Sequence, residues 1–167
     1  MVAIAVGSML MLAVMAIFAF SNRSFAALGN YVALDRQSRS TLDKMTQEIR
    51  MTASVSSWDT NYLFFNNYDG SFLCYIYYPW NKCLVRYRFS GGYWEMGNLL
   101  NSNCTSLNFR MFQRTPNTNF GNFAPTYSLY QTACKLIQMN WICSTNVLGT
   151  RATTESVQSA KVVIRNQ

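Results

Sequence analysis

Residues 1–20 read MVAIAVGSMLMLAVMAIFAF, a run without any charged side chain in which only Gly7 and Ser8 interrupt the apolar residues. At about 1.5 Å of rise per residue, this run forms a helix roughly 30 Å long, which matches the hydrocarbon thickness of a bilayer. Every direction around such a helix is apolar, so we expect lipid or other apolar helices to surround it. The sequence therefore predicts a membrane-inserted helix at this end of the chain.

The composition favours one head domain without catalytic chemistry. The 167 residues carry 14 Lys and Arg against 7 Asp and Glu, and the resulting charge of +7 is scattered rather than clustered. A scattered excess is typical of a solvated surface, so nucleic acid is only a secondary candidate partner. The chain has no histidine, which removes the usual general base and metal ligand, and its carboxylates are dispersed. We expect no enzyme activity, no metal site, no cofactor and no small-molecule substrate.

The apolar run continues into an amphipathic segment. No proline occurs before residue 58, and Leu42, Met45 and Ile49 recur at the spacing of one helix face. These three residues are predicted to pack the helix onto a sheet, and the helix is expected to continue to about residue 53. The predicted organisation is a transmembrane or filament-core helix over 1–22, an amphipathic helix over 23–55 and an antiparallel β head over 56–167.

Beyond residue 56 the hydrophobic period changes from 3.6 to 2. Asp69-Gly70 is a strong turn signal between two strand-like runs, and residues 83–89 alternate between the face of Val85 and the face of Arg86. The sequence thus predicts an α+β fold in which one antiparallel sheet of about six strands packs a face on the helix stripe. The predicted strands cover 61–65, 71–78, 83–89, 106–112, 128–143 and the C-terminal run from 159.

Five cysteines follow the apolar run, and none forms a C-x-x-C pair. This spacing is poor for zinc or dithiol redox chemistry and is typical of disulfides in an exported head, although buried thiols remain an alternative. A bridge between Cys74 and Cys83 across a hairpin is the first expectation, and a bridge between Cys104 and Cys134 is the second. Cys143 is then expected to be a buried free thiol.

A long apolar then amphipathic helix followed by an antiparallel sheet resembles the type IV pilins and the pseudopilins of type II secretion. MVAIAVGSMLMLAVMAIF at 1–18 is similar to the family's segment after its cleavage motif. LDRQSRSTLDKMTQEIRMTASV at 34–55 and SAKVVIRN at 159–166 resemble the W-type minor pilins and the J-type pseudopilins. Processed family members begin with an aromatic residue and carry a glutamate four residues later, whereas the first acidic residue here is Asp35. Aligning the apolar runs predicts about six residues and a basic leader ahead of Met1.

The resemblance implies a structural subunit that is held in the bacterial inner membrane before assembly and then joins an extracellular filament or a periplasmic pseudopilus. Its partners would be copies of itself or other pilins, packed about an axis that does not close. The heads would form the outer surface and determine adhesion. The filament core would contain eight apolar residues of the first helix: Val2, Ile4, Met9, Leu10, Leu12, Val14, Met15 and Phe18.

Three other interpretations remain open. A single-span protein with an adhesive or sensory head would use the same helix only as an anchor. A cleaved secretory protein would need a processing site near Ser24-Phe25-Ala26, but the apolar run is long for a signal peptide and no basic segment precedes it. A DNA-uptake pilin would contact phosphates with arginine and stack bases on tyrosine.

Overall fold

A single helix dominates the N-terminal third of the chain. The computed structural model describes residues 2–114, 123–125, 134–147 and 153–164. Helix α1 covers Val2–Arg50, 49 residues without interruption. It ends in a tighter turn, in which the Met51 amide donates to the Glu48 carbonyl at 3.0 Å, and the Thr52 hydroxyl donates to the Ile49 carbonyl at 2.8 Å. These bonds satisfy two of the carbonyls that a helix end leaves without partners.

Six short strands after the helix form one antiparallel sheet, which we call the N-terminal sheet. Its order is β1-β2-β3-β4-β5, and β6 pairs with β4 beside β5. Asp69 accepts the Ser71 amide at 2.9 Å and Gly70 has a φ of 76°, so the predicted hairpin turn between β2 and β3 is confirmed. The strands are β1 Thr52–Trp58, β2 Tyr62–Asn67, β3 Phe72–Tyr78, β4 Cys83–Ser90, β5 Tyr93–Trp94 and β6 Asn98–Asn101.

The chain then moves to a second antiparallel sheet, the C-terminal sheet, with the order β10-β9-β7-β8. The change of sheet occurs at Asn103, whose φ of 62° is left-handed, a conformation that asparagine tolerates. The Cys104 amide donates at 2.8 Å to the carbonyl of Lys82, which joins the start of the second sheet to the turn between residues 78 and 83 of the first. The strands are β7 Cys104–Arg114, β8 Phe123–Pro125, β9 Cys134–Asn146 and β10 Thr153–Val163.

The amphipathic half of α1 packs mainly on β10 and β9, and also contacts β6. The buried residues of helix and sheets form one hydrophobic core. The alternation predicted for the C-terminal sheet is confirmed, because its apolar face is buried on both long strands. The residues of that face are Leu107, Phe109 and Met111 on β7 and Ile137, Met139, Trp141 and Cys143 on β9.

The α+β class is confirmed, but three details of the predicted layout are wrong. The head has two sheets rather than one, with ten strands in the described part of the chain. Residues 52–55, predicted as the end of the amphipathic helix 23–55, begin strand β1, because Thr52 and Val55 are β-branched and bury their side chains there. The polar run at 144–158 is strand at both ends, in β9 and β10. The predicted strand residues 128–133 and 165–167 lie outside the described residues.

Both predicted disulfides are wrong for this structure, in which all five cysteines are thiols. On the N-terminal sheet Cys74 lies opposite Tyr87, so Cys83 is four residues along β4, about 13 Å away at 3.3 Å per residue. On the C-terminal sheet Cys134 lies opposite Gln113, at the far end of β7 from Cys104. A disulfide needs Cα atoms within about 7 Å, and neither pair meets this limit.

Candidate assembly helix and its attachment to the head

The first half of α1 presents a continuous apolar surface to its surroundings. Every side chain described between Ile4 and Phe20 is exposed. The Val2 side chain lies outside the described ones. The other predicted filament-core residues are between 62% and 77% exposed, namely Ile4, Met9, Leu10, Leu12, Val14, Met15 and Phe18.

This segment meets the physical requirements for crossing a bilayer. Its most apolar 18-residue window has a mean hydropathy of 2.3, and none of that window is buried in the head. The Ser8 hydroxyl donates to the Ala5 carbonyl at 2.9 Å, so its polar group is already paired within the helix. From Ile4 to Phe25 the helix extends for about 33 Å. The helix is therefore long and apolar enough, by length and composition, to span a membrane.

The helix meets the head in a short polar zone. The Asn30 side chain donates to the Asn146 carbonyl at 3.5 Å, and Asp35 accepts Gln158 of β10 at 2.8 Å. Asp35 also pairs with Arg39 one turn further along α1, at 2.8 Å. Leu34 is the first fully buried side chain of the helix. The apolar segment and the core-packing segment are thus separate parts of one continuous helix.

The buried stripe of α1 contains more than the predicted apolar residues. Met45 and Ile49 are completely buried, and Leu42 is half-buried against the core. Ser38 and Thr41 share this stripe, and sequence reasoning missed both because they are polar. The sequence did contain a signal for their burial, because Thr41 lies one helical turn before Met45 and Ser38 lies two turns before it.

Both hydroxyls are paired with strands of the head. Thr41 donates to the Leu100 carbonyl of β6 at 2.9 Å. The Ser38 hydroxyl lies 3.8 Å from the Cys143 sulfur of β9. A buried hydroxyl without a partner costs free energy, so these bonds favour one position of the helix over the sheets.

A charged cluster attaches the C-terminal end of α1 to the N-terminal sheet. Arg86 Nε lies 2.8 Å from Glu48 Oε2, and the Tyr75 hydroxyl donates to the same carboxylate. The Arg86 and Glu48 side chains are only 14% and 22% exposed. Burial, followed by the Glu48 carboxylate, raises the pKa of the Tyr75 phenol well above its ordinary range. The alternation along β4 correctly placed Arg86 and Arg88 on one face of the strand. It did not predict that this face points toward α1.

The outer face of the N-terminal sheet is rich in aromatic side chains. Phe72, Phe89 and Trp94 stack in sequence, with ring centroids 5.9 Å and 5.3 Å apart. Tyr93, the β5 neighbour of Trp94, is largely exposed. Trp80 is also exposed, but it follows β3 at the end of that strand far from Phe72, where its ring contacts Tyr78. The stacked aromatic surface lies on the face of the sheet opposite to the one that Tyr75 and Arg86 present to the helix.

The described residues contain no group of three His, Cys, Asp or Glu side chains that could hold a metal ion. Comparisons with protein-family models, with curated proteins and with solved structures find no match to this chain. The described architecture, one long N-terminal apolar helix followed by antiparallel sheets, is pilin-like.

Proposed function

We propose that this protein is a structural subunit of a type IV pilus-like filament that assembles through the apolar half of α1. The observation that carries the proposal is a helix whose first half is apolar on all sides and exposed, while its second half is fixed in the core of the head. Before assembly, the apolar half would lie in the inner membrane, where lipid surrounds it at little cost.

The energetics favour self-association once the helix leaves lipid. Burying an exposed Leu, Ile, Met or Phe side chain contributes about 1.5–3 kcal/mol. Six such positions and Val14, each more than half exposed, together supply on the order of 10 kcal/mol toward packing against copies of the same helix. Contacts with neighbours above and below would not close into a ring, so they extend into a fibre. The heads would then cover the outside.

A matched pair of charge substitutions tests this proposal in the full chain expressed from its native locus. Leu12→Glu places a carboxylate in the middle of the apolar segment, and Met51→Glu places one at a similarly exposed position beyond the helix. We expect surface fibres, seen by negative-stain electron microscopy and labelled by antibody against the head, for the native protein and for Met51→Glu. Leu12→Glu should give none, because a buried unpaired carboxylate would face each neighbouring helix.

The outcomes separate filament assembly from simple anchoring. A single-span anchored head would remain in the membrane fraction with native sequence and would give no fibres. Labelling along the whole fibre would identify a bulk subunit, whereas labelling at fibre ends alone would identify a minor one. Equal fibre yields from Leu12→Glu and the native protein would contradict assembly through this segment.

A further inference from the structure

Two cysteines face each other across the central strands of the C-terminal sheet. Cys104 of β7 and Cys143 of β9 are register partners, and their sulfurs lie 3.0 Å apart. Both side chains are completely buried. The separation is about 1 Å longer than that of bonded sulfurs, so the two thiols are in contact but not joined.

The backbone on one side of the pair has the hydrogen bonding of strand positions that a cross-strand disulfide can join. The Ser144 amide donates to the Asn103 carbonyl at 2.9 Å, while the Cys104 amide donates to the carbonyl of Lys82, in the turn before β4, rather than to Cys143. The Ser144–Asn103 bond lies beside the cysteines, as it does in a non-hydrogen-bonded pair, and on the other side the ladder shifts register between Cys104 and Ser106. Opposite Cα atoms in such pairs are about 4.5 Å apart, within the range of about 4.4–6.8 Å that disulfides span.

Besides the Cys104 thiol, two polar groups from other parts of the fold contact Cys143. Its sulfur accepts the Asn101 amide of β6 at 3.3 Å, and the Ser38 hydroxyl of α1 lies at 3.8 Å. The contact from the Cys104 thiol, with these two donors, lowers the pKa of Cys143 to about 7. The thiolate is the nucleophile in disulfide exchange, so this is the sulfur better placed to react first.

We propose that Cys104 and Cys143 are oxidised to a disulfide that joins β7 to β9 beneath α1. The oxidant is a disulfide, either an oxidised dithiol protein or a small-molecule disulfide. The Cys143 thiolate attacks one sulfur of the oxidant, forms a mixed disulfide and releases the first thiolate of the oxidant. The Cys104 thiolate then attacks the Cys143 sulfur and displaces the second. Two cysteine protons pass to the released thiolates, so two thiols and one disulfide become one disulfide and two thiols.

Burial determines when this exchange can occur. Neither sulfur is accessible in the folded head, and Ser38 of the helix covers Cys143. The exchange must therefore take place before α1 closes over the strands, when Ser38 is absent and the paired Cys104 thiol, the largest cause of the lowered pKa of Cys143, is still beside it. The finished bond is then shielded from reductants. The proposal requires the head to meet a disulfide oxidant but does not depend on filament formation.

Trypsin provides a direct test, because cleavage after lysine and arginine places each cysteine on its own peptide. Those peptides cover 51–82, 83–86, 89–110, 115–135 and 136–151. The full chain is solubilised in detergent, unfolded in the presence of iodoacetamide and digested without reductant. We expect the peptides 89–110 and 136–151 to be recovered as one linked species that reductant separates. The other three cysteine peptides should be alkylated.

A refolding arm and two kinds of variant complete the test. Reduced full chain refolded in detergent with oxidised glutathione should form the same linkage, whether or not cells assemble fibres. Cys104→Ser should leave Cys143 alkylated, while Cys74→Ser, at a buried cysteine of the other sheet, should keep the linkage. Recovery of both peptides as alkylated thiols in each arm would overturn the proposal. Linkage of either peptide to a different cysteine would overturn it as well.

Discussion

Replacing Tyr75 with phenylalanine removes one buried hydroxyl and is expected to change how the stability of the head depends on pH. Tyr75 is fully buried, and its hydroxyl donates to the Glu48 carboxylate. Burial and that carboxylate raise the pKa of Tyr75 above its ordinary value of 10.0. The folded head therefore keeps this phenol protonated under alkaline conditions in which the unfolded chain ionises it.

The sign and size of the effect follow from proton linkage. Above pH 10, the unfolded state binds fewer protons at this position than the folded state, so the free energy of unfolding falls as pH rises. One such group integrates to a loss of about 1.4 kcal/mol between neutral pH and pH ~11. At neutral pH, the lost hydrogen bond to a charged acceptor costs the variant about 1.5–3 kcal/mol. The difference between native and variant heads should therefore shrink by about 1.4 kcal/mol toward pH ~11.

Urea denaturation of the head fragment 29–167, followed by tryptophan fluorescence at a series of pH values, measures this difference. Tyr68→Phe is the matched control because Tyr68 is exposed, and this variant should follow the native curve at every pH. A Tyr75→Phe variant whose deficit stays constant from neutral to alkaline pH would refute the reasoning. That result would mean that the phenol ionises equally in both states.

Three further predictions concern the helix and its attachment. The fragment 29–167 should be a folded monomer in water by size exclusion and circular dichroism, because the removed residues contribute no buried side chain among those described; aggregation or unfolding would contradict this. Met45→Ala should lower the free energy of unfolding by about 2–5 kcal/mol, because removal of this buried side chain leaves a cavity. Met11→Ala, at an exposed position, should change the free energy of unfolding of the detergent-solubilised chain by less than about 0.5 kcal/mol. Glu48→Gln and Arg86→Met should each cost about 2 kcal/mol, and the double variant should cost less than their sum, because each single change leaves the other side chain poorly paired. Additive losses in urea denaturation would show that the two groups are not coupled.

The parts of the fold that sequence could predict are those determined by neighbours along the chain. The uninterrupted helix follows from apolar residues without proline, and the β2–β3 hairpin follows from Asp69-Gly70. The inner face of β9 follows from alternation, as at Met139 and Trp141. Each of these features needs only local periodicity or turn chemistry.

The features that sequence could not predict depend on pairing between distant strands. A change of sheet at Asn103 divides the head in two, and the sequence around it does not say which strand β7 will join. The position of Cys104 opposite Cys143 is a consequence of that choice, since a different register would place other residues together. Arg86 illustrates the same limit, because alternation identifies two faces but tertiary packing decides which one is buried.

The polar contacts of α1 explain how one helix can hold a defined orientation over two sheets. Apolar side chains such as Met45 pack well in several nearby positions, because dispersion contacts have little directionality. Hydrogen bonds are directional, and those of α1 reach different elements: Thr41 reaches β6, Ser38 reaches β9 and Glu48 reaches β3 and β4. Sliding or rotating the helix would break them together and leave buried polar groups without partners. A filament of identical subunits needs every head at the same angle to its helix, whereas a simple membrane anchor has no such requirement. In the filament proposed above, these contacts would hold every head at the same angle to its helix.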